Sequence, residues 1–145
     1  MKTLNIESTK IFCLLLDKLN GKQHLKIENE PFMPLTIENI GDAYNGEATL
    51  YSLSHYYVQL GDLMADPEVC FIVVDHRGEQ TEAYGEVQIT PYSFKQANMG
   101  IDEESLTFNE NGVVKSCDHD MQHEHAEFAN QWLANIWQQG FLKKV

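Results

Sequence analysis

The chain has 145 residues, of which 22 are acidic and 10 are lysine or arginine, so its formal net charge at pH 7 is −12. This length is typical of one domain around one hydrophobic core, so we predict a single domain over residues 1–145. The excess of acidic residues argues against direct binding to nucleic-acid phosphates. The three cysteines are scattered along the chain, which argues against a disulfide scaffold. No apolar run approaches the roughly 20 residues that span a bilayer, so we predict a cytoplasmic protein without a membrane anchor.

A helix over residues 6–20 is the first predicted element. Its apolar residues recur with helical spacing, and Asn20-Gly21 is typical of a helix C-terminus. In the next segment, Pro31 and Pro34 exclude a helix and limit strand pairing to short pieces along a sheet edge. These pieces are expected at residues 25–28 and 35–38.

Two long extended runs, residues 47–60 and 69–74, flank a polar segment over residues 61–68. Aromatic and β-branched residues fill both runs, and their apolar side chains alternate onto both faces. Strands that are apolar on both faces are typical of the centre of a sheet. We therefore predict two central strands, covered on both faces and joined by a turn that contains Gly61 and is rich in carboxylates.

Residues 83–90 alternate between apolar and polar side chains. This pattern predicts a strand with one face in water, which Pro91 should stop. Residues 91–104 show no sustained period, so we predict an irregular loop there.

A short hairpin is predicted over residues 106–115, with Gly112 in its turn. A helix of about 20 residues follows, begun by Asp118 or Asp120 and closed by Gly140. Together these elements predict an α+β fold in which an antiparallel sheet of about five strands is flanked by an N-terminal and a C-terminal helix.

The polar segment between the two central strands is the candidate functional site. Carboxylates with a neighbouring imidazole are ligands that suit Mg²⁺ or Mn²⁺, and such an ion would activate water for hydrolysis. The alternative is structural: the carboxylates accept backbone N–H bonds within a tight turn, and the histidine packs beside a tyrosine. The candidate residues are His55, Tyr57, Gln59, Asp62, Asp66 and Glu68.

A second polar cluster, CDHDMQHEH, lies at the start of the final helix. There His119 and His123 would share one helical face, with His125 close by, and histidines so spaced can hold Zn²⁺. The cluster lacks the HExxH order of zinc proteases, and its acids equally suit a helix N-terminus while its histidines face solvent. No cofactor is assigned from the sequence, and a divalent metal stays an open alternative.

The motifs HYYVQ, GDLM and DPE within residues 51–71 resemble a family of small proteins of unknown function encoded on bacterial plasmids, phages and conjugative elements. The segment FANQWLANIWQQG, residues 128–140, is similar too. In that family the turn often has the sequence Gln-Asn-Gly-Asp, whereas Leu60 stands here in place of the asparagine. The resemblance implies an accessory protein of a mobile element and supplies no reaction.

Two hypotheses of function follow. The first is a non-enzymatic acidic module that binds a protein partner through its acidic body or its hairpin turn. The amide-rich outer face of the final helix, within residues 130–139, is an alternative interface for a protein partner or a second copy of the chain. The second is a divalent-metal-dependent hydrolase of phosphodiester type that uses the hairpin carboxylates. The sequence lacks GxSxG and phosphate-loop motifs, which favours the first hypothesis.

Overall fold

The structure, a computed structural model, describes residues 1–142. Lys143 and Lys144, which add positive charge to the sequence, lie outside the described residues. In chain order the elements are α1 (Ile6–Leu19), β1 (His24–Asn29), β2 (Phe32–Ala43), β3 (Ala48–Gln59), β4 (Asp62–Asp75), β5 (Val87–Gln96), β6 (Ile101–Glu104), β7 (Leu106–Phe108), β8 (Val114–Cys117) and α2 (His119–Gln138), with single 3-10 turns at Tyr44–Gly46, Tyr84–Glu86 and Ala97–Met99.

Strands β1 to β6 form one antiparallel sheet in which each strand pairs with the next strand along the chain. Strands β7 and β8 pair with each other as a separate hairpin. The predicted α+β class, with a helix at each end of the chain, is confirmed. The main sheet has six strands rather than about five, because residues predicted as loop are extended and paired.

Pro91 lies within β5 and does not end that strand. It stands opposite Phe71, and the register shifts between Cys70 and Phe71 so that β5 carries one extra residue, Tyr92. A bulge of this kind accommodates a proline, which cannot donate a hydrogen bond to the ladder. The chain then turns and returns as β6, so the predicted irregular loop over residues 91–104 is wrong.

Two further strand boundaries differ from the predictions. Pro34 lies inside β2, which extends well beyond the expected piece at residues 35–38 because β3 pairs with it along most of its length. The strand predicted over residues 83–90 begins only at Val87, since the residues before it form a 3-10 turn.

Side chains cap the N-termini of both helices. The Asn5 side chain accepts the N–H of Ser8 at 2.8 Å, and the Asp118 side chain accepts the N–H of Met121 at 3.1 Å. Each cap satisfies one N–H group that has no partner within the helix and stabilises it by about 1 kcal/mol. Asp118 is confirmed as the start of the final helix, whereas Asp120 lies in its first turn. No helix within residues 1–142 has both the length and the apolar content that crossing a membrane requires.

Both helices pack on the same face of the main sheet. Phe12 of α1 and Ile136 of α2 are completely buried there, and the Phe12 ring lies 4.8 Å from the ring of Phe71 between centroids. Burial of each such side chain contributes about 1.5–3 kcal/mol. The sheet side of this core consists of Leu35, Ile37, Leu53, Val69, Phe71, Val73, Val87 and Ile89.

The second face of the sheet is covered at one end only. There the hairpin β7–β8 buries Leu106 and Ile72, and Tyr92 meets Phe108 edge to face. At the other end, which carries the turn between β3 and β4 and is called the hairpin end below, this face is open. The prediction that both faces of the central strands are covered is therefore wrong at the hairpin end, because nothing in residues 1–142 packs over them there.

Candidate functional site

A two-residue turn, Leu60-Gly61, joins β3 to β4. Gln59 and Asp62 pair directly across it, and φ is 52° at Leu60 and 85° at Gly61. Two successive residues with positive φ are typical of a type I′ turn, for which Asn-Gly is the preferred sequence. Leucine is strained in this left-handed conformation, and the Leu60 side chain is 98% exposed.

The carboxylates predicted to crowd this turn lie instead along β4. Asp62 begins the strand, and Asp66 follows it by four strand positions, a distance of roughly 13 Å. The register shifts beyond Ser54, which leaves Asp66 and Pro67 opposite His55. The compact polar turn predicted over residues 61–68 is therefore wrong, since only Leu60 and Gly61 form the turn.

Glu68 lies on the open face of the sheet, away from the helices. Its Oε2 accepts hydrogen bonds from the Ser52 hydroxyl at 2.6 Å and from the Tyr56 hydroxyl at 3.2 Å. Burial raises the pKa of Tyr56, and the nearby Glu68 carboxylate adds to the shift, so the phenol stays protonated and donates. Glu68 thus anchors a polar strip across β3 and β4.

Asp66, Tyr57 and Gln59 each occupy a different environment. The Asp66 carboxylate accepts a hydrogen bond from the Gln96 side chain at 2.9 Å, so the prediction that it caps the turn is wrong. Tyr57 stands opposite Met64 and is half-buried, and Gln59 is exposed at the tip of the hairpin. Among the described residues, no three or more His, Cys, Asp or Glu side chains are grouped to hold a metal ion.

His55 points toward the helices, opposite in direction to Glu68. Its ring lies 5.6 Å from the ring of Trp132 and 5.5 Å from that of Phe141 between centroids. With these two candidates on opposite faces of the sheet, the candidate residues share no common centre for a metal ion.

The protonation of His55 follows from its contacts. Its Nδ1 lies 3.1 Å from the carbonyl oxygen of Met33 and 3.2 Å from that of Pro34. A carbonyl only accepts, so Nδ1 carries the proton and donates, which leaves Nε2 of the neutral ring as an acceptor. Burial lowers the pKa of His55, an effect that the two carbonyl contacts only partly oppose. The ring is therefore neutral at pH 7.

A cleft of about 230 Å³ opens beside His55, between the hairpin end of the sheet and the C-terminal end of α2. Asn135 and Gln139 face it from successive turns of the helix, because residues four apart lie on one side of a helix. No described residue that lines the cleft has a cationic side chain. The lining residues are Phe32, Met33, His55, Pro67, Trp132, Asn135 and Gln139.

The three histidines at the start of α2 separate in the structure. His119 and His123 are exposed, as predicted, whereas His125 is buried against the sheet. Its Nδ1 lies 2.9 Å from the Ser105 hydroxyl, and its Nε2 lies 3.1 Å from a carboxylate oxygen of Glu103. The prediction that all three face solvent is wrong for His125, because Glu103 of β6 and Ser105, just after that strand, provide it with polar partners.

The Ser105–His125–Glu103 array has the residue types of a hydrolytic triad. Ser105 is only 2% exposed, however, and its hydroxyl also lies 3.2 Å from the carbonyl oxygen of Tyr92. No substrate reaches a hydroxyl in that position. The array is a hydrogen-bond network that joins β5, β6 and α2 and is buried at Ser105 and His125 but partly solvent-exposed at Glu103.

Comparisons with known proteins identify a family. A family model described as a domain of unknown function (DUF6908) matches residues 10–142, which include all eight strands, most of α1 and the whole of α2. No curated protein and no solved structure matches the chain. The match bears out the resemblance to an uncharacterised family. The chain belongs to the family described as domain of unknown function DUF6908.

Proposed function

We propose that the protein is a non-enzymatic binding module that contacts a basic protein partner through the open face at the hairpin end. The observation that carries this proposal is a pair of exposed apolar residues. Val58 and Leu63 stand directly opposite each other on β3 and β4, and they are 69% and 65% exposed. Large apolar side chains clustered on an open surface are typical of protein contact sites.

A groove of about 450 Å³ lies beside this pair. Tyrosine and methionine, which are enriched in protein interfaces, contribute to its walls. We call the groove, with exposed Leu60 at the turn, the hairpin face. The groove residues are Lys26, Met33, Pro34, Thr36, Tyr56, Tyr57, Val58 and Leu63.

The chemistry of the partner follows from charge. The net charge is −12, and the exposed carboxylates of Asp62 and Glu38 flank the hairpin face. A partner that presents apolar side chains surrounded by lysine or arginine would complement it. Attraction between the two charged surfaces would speed association and weaken as salt increases. This complementarity also argues against a second copy of the same acidic chain as the partner.

The proposal also includes the biological setting of the protein. The resemblance of residues 51–71 and 128–140 to proteins of plasmids, phages and conjugative elements supports a role as an accessory protein of a mobile element. The partner is then sought among proteins encoded on the same element. The cysteine content and composition support an interaction in the cytoplasm.

Site-specific photo-cross-linking tests the proposal. A photoreactive amino acid at position 63 should capture one specific protein in host cells, whereas the same group at position 113 should not. Val113 is an exposed apolar residue in the β7–β8 turn, at the opposite end of the sheet. The captured protein is then purified and its affinity measured.

Two matched variants decide the result. Leu63→Asp should weaken binding of the purified partner at least about tenfold, whereas Val113→Asp should leave the Kd within about twofold. The Kd of the unmodified protein should also rise with salt. Equal affinities of the two variants would contradict the assignment of the hairpin face.

A further inference from the structure

We propose that the cleft beside His55 binds one cationic side chain, the guanidinium group of an arginine. This inference rests on the proposed function, because the arginine would belong to the basic protein partner. The cleft and the hairpin face lie at the same end of the sheet, and Met33 lines both. The cleft opens on the helix side of the sheet and the hairpin face on the other side, so a partner that wraps around this end of the sheet reaches both.

Hydrogen-bond acceptors converge on the cleft. The Nδ1 proton of His55 is engaged by backbone carbonyls, so its Nε2 accepts, and this nitrogen has no partner within residues 1–142. The side-chain amides of Asn135 and Gln139, each with an oxygen that can accept, line the cleft from the side of α2. A guanidinium group has five N–H donors and no acceptor, which matches such a lining.

The walls and the surrounding charge favour a cation. Trp132 and Phe32 form aromatic walls, and aromatic faces attract guanidinium groups. The cleft lies at the C-terminal end of α2, where the helix dipole is negative. Asp66, opposite His55, adds a nearby carboxylate whose charge acts on the imidazole. An anionic ligand would meet none of these favourable interactions among the described residues.

The size of the cleft limits the ligand to a side chain. Its volume of about 230 Å³ is below the range of roughly 300–1,000 Å³ that is typical of pockets for drug-sized molecules. A planar guanidinium group on an alkyl stem fits a small cleft with aromatic walls, and arginine stacks on aromatic rings better than lysine does. The occupant is therefore an arginine side chain rather than a larger organic ligand.

A direct titration tests the assignment without the partner. The chain has two tryptophans, so the exposed Trp137 is replaced by phenylalanine and Trp132 becomes the single indole fluorophore. n-Propylguanidinium should change its fluorescence saturably, with a Kd on the order of 1 mM. n-Propylurea, which is nearly isosteric and uncharged, should give no saturable change. n-Propylammonium should bind several-fold more weakly than the guanidinium ion.

Two variants of exposed α2 residues locate the binding. Asn135→Leu should weaken n-propylguanidinium binding about fivefold or more, whereas Gln131→Leu, one turn away and outside the cleft, should leave it unchanged. Equal binding of the urea, or equal affinities of the two variants, would overturn the inference. These measurements use no partner, so their failure is distinct from a failure of the cross-linking test of the hairpin face.

Discussion

His55 of β3 and Trp132 of α2 meet nearly edge to face, with their ring centroids 5.6 Å apart and their planes at 66°. Trp132 is only 6% exposed and also packs against Phe128. This contact joins the sheet to the final helix and forms one side of the cleft. Its loss should therefore affect both the stability and the shape of the candidate site.

Trp132→Ala should destabilise the protein by about 3–5 kcal/mol, because the buried indole leaves a cavity that the rigid sheet cannot fill. Gln131→Ala, at the neighbouring exposed position, should change the free energy of unfolding by less than about 0.5 kcal/mol. Urea denaturation of the two variants measures the difference. Equal destabilisation would mean that the face of α2 that packs on the sheet is wrongly assigned.

Leu60→Asn should stabilise the protein by about 0.5–1 kcal/mol. Asparagine tolerates the left-handed conformation that Leu60 adopts, and Asn-Gly is the preferred sequence of a type I′ turn. Gly61→Val, in the same turn, should cost about 1–3 kcal/mol because a β-branched residue is strained at positive φ. Thermal unfolding should place the unmodified protein between the two variants, and a reversed order would contradict the turn geometry.

The stability of the protein should fall as the pH drops below about 6.5, partly through His55. Burial lowers the pKa of His55 in the folded protein below its ordinary value of 6.5. Between these two values the unfolded chain binds more protons, so the free energy of unfolding decreases as the pH falls through this window and is fully restored above it. His55→Gln removes this titration.

The measurement is the free energy of unfolding from pH 7.5 to pH 5 in the unmodified protein and in His55→Gln. The slope against pH should be smaller in the variant. Asp75, whose pKa is lowered mainly by hydrogen bonds from Arg77, has an ordinary value of 3.8 and loses its contribution only at more acidic pH. Identical slopes would show that His55 is already protonated in the fold or solvated like the unfolded chain.

His125→Ala should destabilise the protein by about 2–3 kcal/mol, because it removes the bonds to Ser105 and Glu103 and a ring stacked on Phe94. His123→Ala is the matched control, since His123 is exposed on the same helix, and its effect should stay below about 0.5 kcal/mol. Chemical denaturation compares them. Similar midpoints for the two variants would disprove the structural role given to His125.

The elements that local sequence determines could be predicted. Helical spacing and capping residues located both helices, and Asp118 begins α2 as expected. The extended runs identified β3 and β4 as neighbours at the centre of the sheet. The strand residues after Pro91 could not be predicted, because a proline fits there only through the bulge opposite Phe71. That bulge arises from the pairing of β4 with β5, which the local sequence of β5 does not determine.

The candidate site was predicted only in part, for a similar reason. His55 was among the candidates, but Trp132, Asn135 and Gln139 line its cleft from the other end of the chain. No spacing in the sequence relates these helix residues to His55. The openness of the sheet near Val58 and Leu63 was also missed. The alternation of apolar and polar residues along a strand shows which residues share a face. Whether that face is buried depends on where the hairpin β7–β8 packs on the sheet.

The order of the strands has a consequence for how the protein folds. Each pairing in the main sheet closes only the short loop between consecutive strands, whereas the contact of α1 with α2 closes almost the whole chain. Because the entropy lost in closing a loop grows with its length, we expect the hairpins to form early and α2 to dock late. The cleft beside His55 has one wall on β3 and the other on α2, so it comes into existence only in this last step.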